Sequence, residues 1–145
     1  MAVHERSREV SAPADAVWRV WSDAASWPQW NPDVSAMELS GPFGDGTEGR
    51  MTTKSSGNRA HPVRLVDVEP GRRFALQIKP VPGATFTFTC RIEDAGPGRS
   101  RISQAVTMRG PMAPLFSAMM GNRIAQGFEP ILAALAARVE SSAVS

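Results

Sequence analysis

The sequence predicts an α+β protein in which an antiparallel sheet of about seven strands packs against one long C-terminal helix. Three observations support this class. A short N-terminal strand is followed by two small helices, six strand-like segments alternate with turns between residues 34 and 110, and helical periodicity runs from about 112 to 140. The turns between successive strands are short, and parallel crossovers need a dozen or more residues, so the strands pair as antiparallel hairpins.

The strand segments are separated by clusters of glycine and proline, which punctuate secondary structure. Apolar and polar residues alternate most clearly in residues 84–94, where Phe86, Phe88, Cys90 and Ile92 oppose a row of threonines. This period-two pattern predicts one buried and one solvated face. The predicted strands are 3–11, 34–40, 47–55, 61–69, 72–79, 84–94 and 99–109.

The two small helices after the first strand contain all four tryptophans, at positions 18, 21, 27 and 30. The second of these helices ends near Pro28 and Pro32, because a residue that precedes proline is disfavoured in the helical region. The C-terminal helix carries Gly127 and Pro130, which predict a kink near residues 126–130.

The composition indicates a single globular domain over residues 1–145, with a frayed tail at about 141–145. Apolar residues make up 42% of the chain and charged residues 21%, close to the globular average. The net charge of +2 and the interleaved charges argue against nucleic-acid binding. The single cysteine cannot form an internal disulfide, and no segment has the length of a signal peptide core or a membrane span. We therefore expect a cytoplasmic protein.

Several short motifs resemble one known family. They are Ala12-Pro13-x-x-x-Val17-Trp18, Ser22-Asp23, Trp27-Pro28-x-Trp30-Asn31-Pro32, Leu39-x-Gly41-Pro42, Gly46-Thr47-x-Gly49 and the segment Val68-Glu69-Pro70-Gly71-Arg72-Arg73-Phe74. The chain resembles the polyketide cyclase/dehydrase and lipid-transport family of the START-like (SRPBCC) helix-grip superfamily. The resemblance implies a helix-grip fold, in which a curved sheet wraps around the C-terminal helix and leaves a largely apolar cavity. Members bind lipids, sterols, hormones, quinones or polyketides, and some catalyse reactions.

Aromatic and methionine side chains on the expected inner face are the candidate ligand contacts. Their large apolar area and flexible thioethers suit a hydrophobic ligand, although each one also suits an ordinary core. Gln104 shares the parity of this face and brings one polar group to it. The candidate ligand-binding residues are Trp27, Trp30, Met51, Phe74, Phe86, Phe88, Gln104, Met108, Phe116, Met119, Met120 and Phe128.

The candidate catalytic residues are few: His61, Asn31 and Gln104. His61 is the only histidine outside the N-terminal segment, and histidine is the usual general base near neutral pH. It shares strand parity with Val63, and Asp67 continues the same face. The sequence contains no metal-ligand spacing and no phosphate loop. We therefore expect neither a metal nor a cofactor.

These observations favour a protein that binds a hydrophobic small molecule, lipid-, polyketide- or aromatic-like, in an internal cavity between sheet and helix. A cyclase/dehydrase-type enzyme using the same cavity is the alternative, and a protein-interaction module of the same fold is a second one. The sequence leaves open whether any reaction is catalysed.

Overall fold

The computed structural model describes the backbone of residues 3–81 and 83–144 and the side chains of residues 4–79 and 83–141. Within these ranges the chain forms seven strands, two small helices after the first strand and a long helical region at the C-terminus. The strands are β1 (Val3–Val10), β2 (Val34–Leu39), β3 (Glu48–Thr53), β4 (Arg59–Glu69), β5 (Arg73–Val81), β6 (Ala84–Asp94) and β7 (Ser100–Arg109). The small helices are α1 (Ala14–Trp21) and α2 (Trp27–Trp30), with a 3-10 turn, Ala24–Ser26, between them.

The seven strands form one antiparallel sheet in the order β1-β7-β6-β5-β4-β3-β2. The predicted α+β helix-grip class is confirmed, and so is each strand to within two residues at either end. Short turns join β2 through β7 in sequence. The long excursion through α1 and α2 separates β1 from β2 and places these two strands at opposite edges of the sheet.

The C-terminal helical region consists of four consecutive pieces. It contains α3 (Ala113–Phe116), a π-helical turn (Ser117–Gly121), α4 (Asn122–Gln126) and α5 (Phe128–Val144). The predicted break falls at Gly127, and Pro130 lies in the first turn of α5, where its missing N–H has no intrahelical role. The tail predicted to fray from 141 is helical to Val144, and Ser145 lies outside the described residues.

The inner face of the sheet is the face that packs against this helical region. On β1 that face carries His4, Arg6, Arg8 and Val10, which lie opposite β7 residues of the same face. Polar contacts at this edge join strand and helix. The Arg6 guanidinium donates to Asn122 Oδ1 at 3.2 Å and lies 3.8 Å from a carboxylate oxygen of Glu129. The weak apolar pattern of β1 therefore reflects polar docking of the C-terminal helices.

Candidate functional site

The strand register aligns apolar side chains in rows across the inner face. One row joins Val106, Phe88 and Leu76, and the next joins Met108, Phe86 and Ile78. The C-terminal helical region covers both rows with phenylalanines. The ring centroids of Phe116 and Phe86 are 6.4 Å apart, and those of Phe128 and Phe88 are 6.2 Å apart. Both pairs have edge-to-face geometry, which aromatic rings favour.

An aromatic cluster packs between the small helices and the sheet. Its centre is Phe74 on β5, which is only 1% exposed. Four other aromatic rings surround it at centroid separations of 5.0–6.1 Å, namely Trp18, Trp21, Trp27 and Phe43. Trp27 is also held by its indole N–H, which donates to the carbonyl of Trp21 at 2.9 Å. Two predicted ligand contacts, Phe74 and Trp27, thus belong to an aromatic cluster that anchors the small helices to the sheet.

A second group of apolar side chains lies at the margin of the core. Six apolar side chains, three from the sheet and three from the helical region, join the core but stay only partly buried. We call this set the open end; it consists of Met51, Ile78, Phe88, Phe116, Met120 and Ile124. Phe86, Met108 and Phe128 are buried beside it. Seven of the twelve predicted ligand contacts therefore lie in or next to the open end: Met51, Phe86, Phe88, Met108, Phe116, Met120 and Phe128.

Met119 does not share this face. Its side chain is 67% exposed, and Met112 and Leu115 are exposed on the same stripe of the helical region. Phe116, Met120 and Ile124, spaced four residues apart, form the partly buried stripe instead. The expectation that Met119 points inward is wrong. The segment is apolar on two faces, and a helical pattern of this kind does not show which face a sheet will cover.

Two buried polar atoms have no hydrogen-bond partner among the described residues. They are the indole Nε1 of Trp30 and the amide Oε1 of Gln104. Trp30 is 9% exposed at the end of α2, and Gln104 lies on the inner face of β7 between Arg6 and Cys90. Buried polar atoms are nearly always paired, so one unpaired donor and one unpaired acceptor call for an explanation. Both residues were predicted as ligand contacts.

His61 lies at the far side of the inner face. The register aligns it with Met51 on β3, which in turn aligns with Met37 on β2. Its side chain is partly buried. The predicted continuation to Asp67 is wrong, because Asp67 sits in an irregularity between Val66 and Glu69, with a φ of 52°, and is exposed. Six residues of strand also separate the two side chains by roughly 20 Å.

Asn31 has a structural role in the turn after α2. Its amide oxygen accepts hydrogen bonds from the backbone N–H groups of Asp33, at 2.9 Å, and Val34, at 3.2 Å. This is an Asx-type turn, in which the side chain caps backbone donors at the start of β2. Of the three candidate catalytic residues, Asn31 thus has its acceptor already occupied.

Sequence reasoning missed His4, which was set aside with the N-terminal segment. His4 lies within β1, and its Nε2 is 3.0 Å from the Oγ of Ser117 in the π-helical turn. A Cβ at Gly121 would overlap the His4 imidazole. A glycine inside an otherwise apolar helical pattern was the available signal, since such a glycine often marks a close approach. Single π turns are themselves frequent at functional sites.

Two other kinds of chemistry have little support in the described residues. Cys90 is buried, and burial raises the pKa of its thiol, so the nucleophilic thiolate is disfavoured. No three His, Cys, Asp or Glu side chains in the described ranges are grouped so as to hold a metal ion. No helix in the described part of the chain is long and apolar enough to cross a membrane.

Fold and sequence together define the class of this protein. The fold is that of the START-like helix-grip proteins. The chain belongs to the polyketide cyclase/dehydrase and lipid transport family, whose sequence profile matches residues 1–140. No curated protein sequence matches it.

Solved structures with this fold have diverse sequences. A START superfamily protein from Mycobacterium smegmatis has a TM-score of 0.78 at 16% identity, over 96% of this chain and 97% of the other. Truncated norcoclaurine synthase from Thalictrum flavum has a TM-score of 0.75 at 21% identity, over 95% and 92%. The di-domain ARO/CYC BexL of the BE-7585A biosynthetic pathway has a TM-score of 0.79 at 21% identity, over 97% of this chain but 47% of its own. Such identities establish the fold alone.

Proposed function

We propose that this protein binds a hydrophobic small molecule at the open end, between the inner face of the sheet and the N-terminal half of the C-terminal helical region. The observation that carries the proposal is the partial burial of side chains that face each other. Phe88 and Ile78 on the sheet, and Phe116 and Met120 on the helical region, all retain contact with solvent. A close-packed core would bury both sides, so this pattern favours a space between them.

The chemistry of the open end favours an apolar ligand that carries a few polar groups. Aromatic rings and unbranched thioethers provide a large, adaptable apolar surface. A ligand that buries about 300 Å² of apolar surface gains on the order of 7 kcal/mol before the costs of association. Gln104 lies opposite Cys90 and diagonally across from Phe88 of the open end, and its unpaired Oε1 would accept a hydrogen bond from a ligand hydroxyl or N–H. This favours a hydroxylated lipid or polyketide.

The proposal is tested by filling the open end without changing the rest of the helical region. Native mass spectrometry of the purified protein identifies any co-purified molecule, and tryptophan fluorescence measures the binding of 1-naphthol and lauric acid. Met120→Trp should abolish binding, because the indole would occupy the ligand's volume. Met119→Trp is the matched control, since residue 119 is 67% exposed on the other face of the same segment. Wild-type protein that binds neither compound and carries no ligand, or equal binding by both variants, would contradict the proposal.

Catalysis of the cyclase/dehydrase type is the second candidate, and His61 is the observation that favours it. His61 is partly buried and shares its face with Met51, which belongs to the open end. A binding site that holds a reactive chain in a folded conformation accelerates ring closure by proximity. A positioned base would add proton transfer. Turnover of an isolated substrate by His61→Gln at the wild-type rate would remove histidine from this scheme, while ligand binding at the open end would be unaffected.

A further inference from the structure

The helical segment that covers the open end also presents a large apolar surface to solvent. Among residues with described side chains, the large hydrophobic residues that are exposed are Met112, Leu115 and Met119, at 40%, 49% and 67%. Their spacing of three and four residues places them on one stripe, and four residues further on that stripe reaches Arg123. We call these four residues the outer stripe. Isolated exposed apolar residues are ordinary, but a contiguous group indicates a contact surface.

The charged residues next to the outer stripe in sequence have one sign. From Arg109 to Arg123 the sequence contains no acidic residue. Arg109 is the last residue of β7 and precedes the outer stripe in sequence, and Arg123 is the last residue of the stripe. Both are exposed. The ion pairs among the described side chains involve neither of them. This surface therefore combines apolar side chains with unneutralised positive charge.

We propose that the outer stripe docks the protein onto an anionic lipid surface. A short helical segment with exposed apolar side chains and flanking arginines has the chemistry of an interfacial segment, in which the apolar groups enter the headgroup boundary and the cations meet anionic headgroups. A second copy of the chain fits less well. A two-fold contact would place Arg123 of both copies in one interface, and the stripe has no carboxylate to pair with either of them. The proposal is independent of ligand binding, since Phe116 and Met120 point to the other side of the segment.

Co-sedimentation with phosphatidylcholine vesicles, with and without phosphatidylglycerol, tests the docking. Wild-type protein should bind the anionic vesicles and be released by salt. The double variant Leu115→Ser/Met119→Ser and the single variant Arg123→Glu should each lower the partition coefficient by about tenfold or more. Arg19→Glu is the control, because Arg19 is also an exposed arginine but lies on α1, outside the stripe. This variant should bind the vesicles as wild type does.

Three results would overturn the docking proposal. Wild-type protein could remain in the supernatant with both kinds of vesicle, or vesicle binding could be the same in the stripe variants and in wild type. Sedimentation equilibrium without lipid could instead show a dimer that the Leu115→Ser/Met119→Ser variant loses, which would assign the stripe to a second copy. Each of these results is separable from failure of ligand binding, which is measured with Met120→Trp in the absence of lipid.

Discussion

The imidazole of His4 occupies the space that a side chain at residue 121 would need. His4 comes from the edge strand β1, and Gly121 ends the π-helical turn. The same imidazole lies 3.0 Å from the Ser117 hydroxyl, so one residue fixes the height and the position of this turn over the sheet. Phe116 and Met120, which belong to the open end, lie within or next to the turn. The contact between His4 and Gly121 thus positions the segment that covers the proposed ligand site.

Gly121→Ala should destabilise the protein by about 1–3 kcal/mol, because the new methyl group would overlap the His4 ring. Urea denaturation measures the change in the free energy of unfolding. Gly44→Ala is the control, since a Cβ at residue 44 would have no heavy atom within 4 Å. His4→Ala/Gly121→Ala should recover most of the loss caused by the overlap. Additive losses in the double variant would show that the overlap is not the cause.

Trp30→Phe and Trp27→Phe form a matched pair, because both remove an indole N–H from a largely buried ring. Trp27 donates to the Trp21 carbonyl, so its loss leaves a buried acceptor unpaired, whereas Trp30 Nε1 has no partner among the described residues. The free energy of unfolding should fall by about 1 kcal/mol more for Trp27→Phe. Equal losses in ligand-free protein would mean that Trp30 Nε1 is paired after all.

Phe74→Ala should be far more damaging than Phe116→Ala. Phe74 is 1% exposed and touches four aromatic rings, so its removal should lower the free energy of unfolding by about 3–5 kcal/mol. Phe116 is partly buried at the open end. Its substitution should lower the free energy of unfolding by less than about half as much. Thermal and urea denaturation give the comparison. Similar losses at both positions would indicate that the open end is packed as tightly as the aromatic cluster around Phe74.

The Cys90 thiol predicts a specific dependence of stability on pH. Burial raises the pKa of this thiol in the folded protein, so above the unfolded-state pKa of about 8.5 the unfolded chain releases a proton that the folded chain keeps. The free energy of unfolding should therefore fall with rising pH by about 1.4 kcal/mol per unit from this group alone. Cys90→Ala should lack this component when both proteins are compared between pH 8.5 and 10. Parallel pH profiles would contradict it.

The sheet was predictable because its strands obey local rules. Period-two alternation and glycine-proline turns determine where strands such as β6 begin and end, and short hairpins leave one order for the sequence from β2 to β7. The pairing of β1 with β7 joins residues 90 to 104 positions apart, and no local pattern in the sequence predicts it.

The site was less predictable because it depends on contacts between distant segments. The apolar residues of 112–126 cover two faces of a helical segment, and only the position of the sheet distinguishes Met120 from Met119. The role of His4 in positioning the helical region depends on its contacts with Ser117 and Gly121, which lie more than 110 residues away in the sequence. Parity placed His61 on the same face as Val63, and the register agrees. It failed for Asp67, since an irregular residue within a strand resets the alternation.

The most direct test of the ligand site uses the methionines of the chain as reporters. Xenon enters apolar voids without requiring a particular ligand, and the methyl groups of ¹³C-labelled methionines report its proximity by NMR. Under xenon pressure we expect chemical-shift changes at Met51 and Met120, which belong to the open end, and little change at the exposed Met119. Unchanged Met51 and Met120 signals would mean that sheet and helix enclose no accessible apolar space, and the proposed function would be wrong.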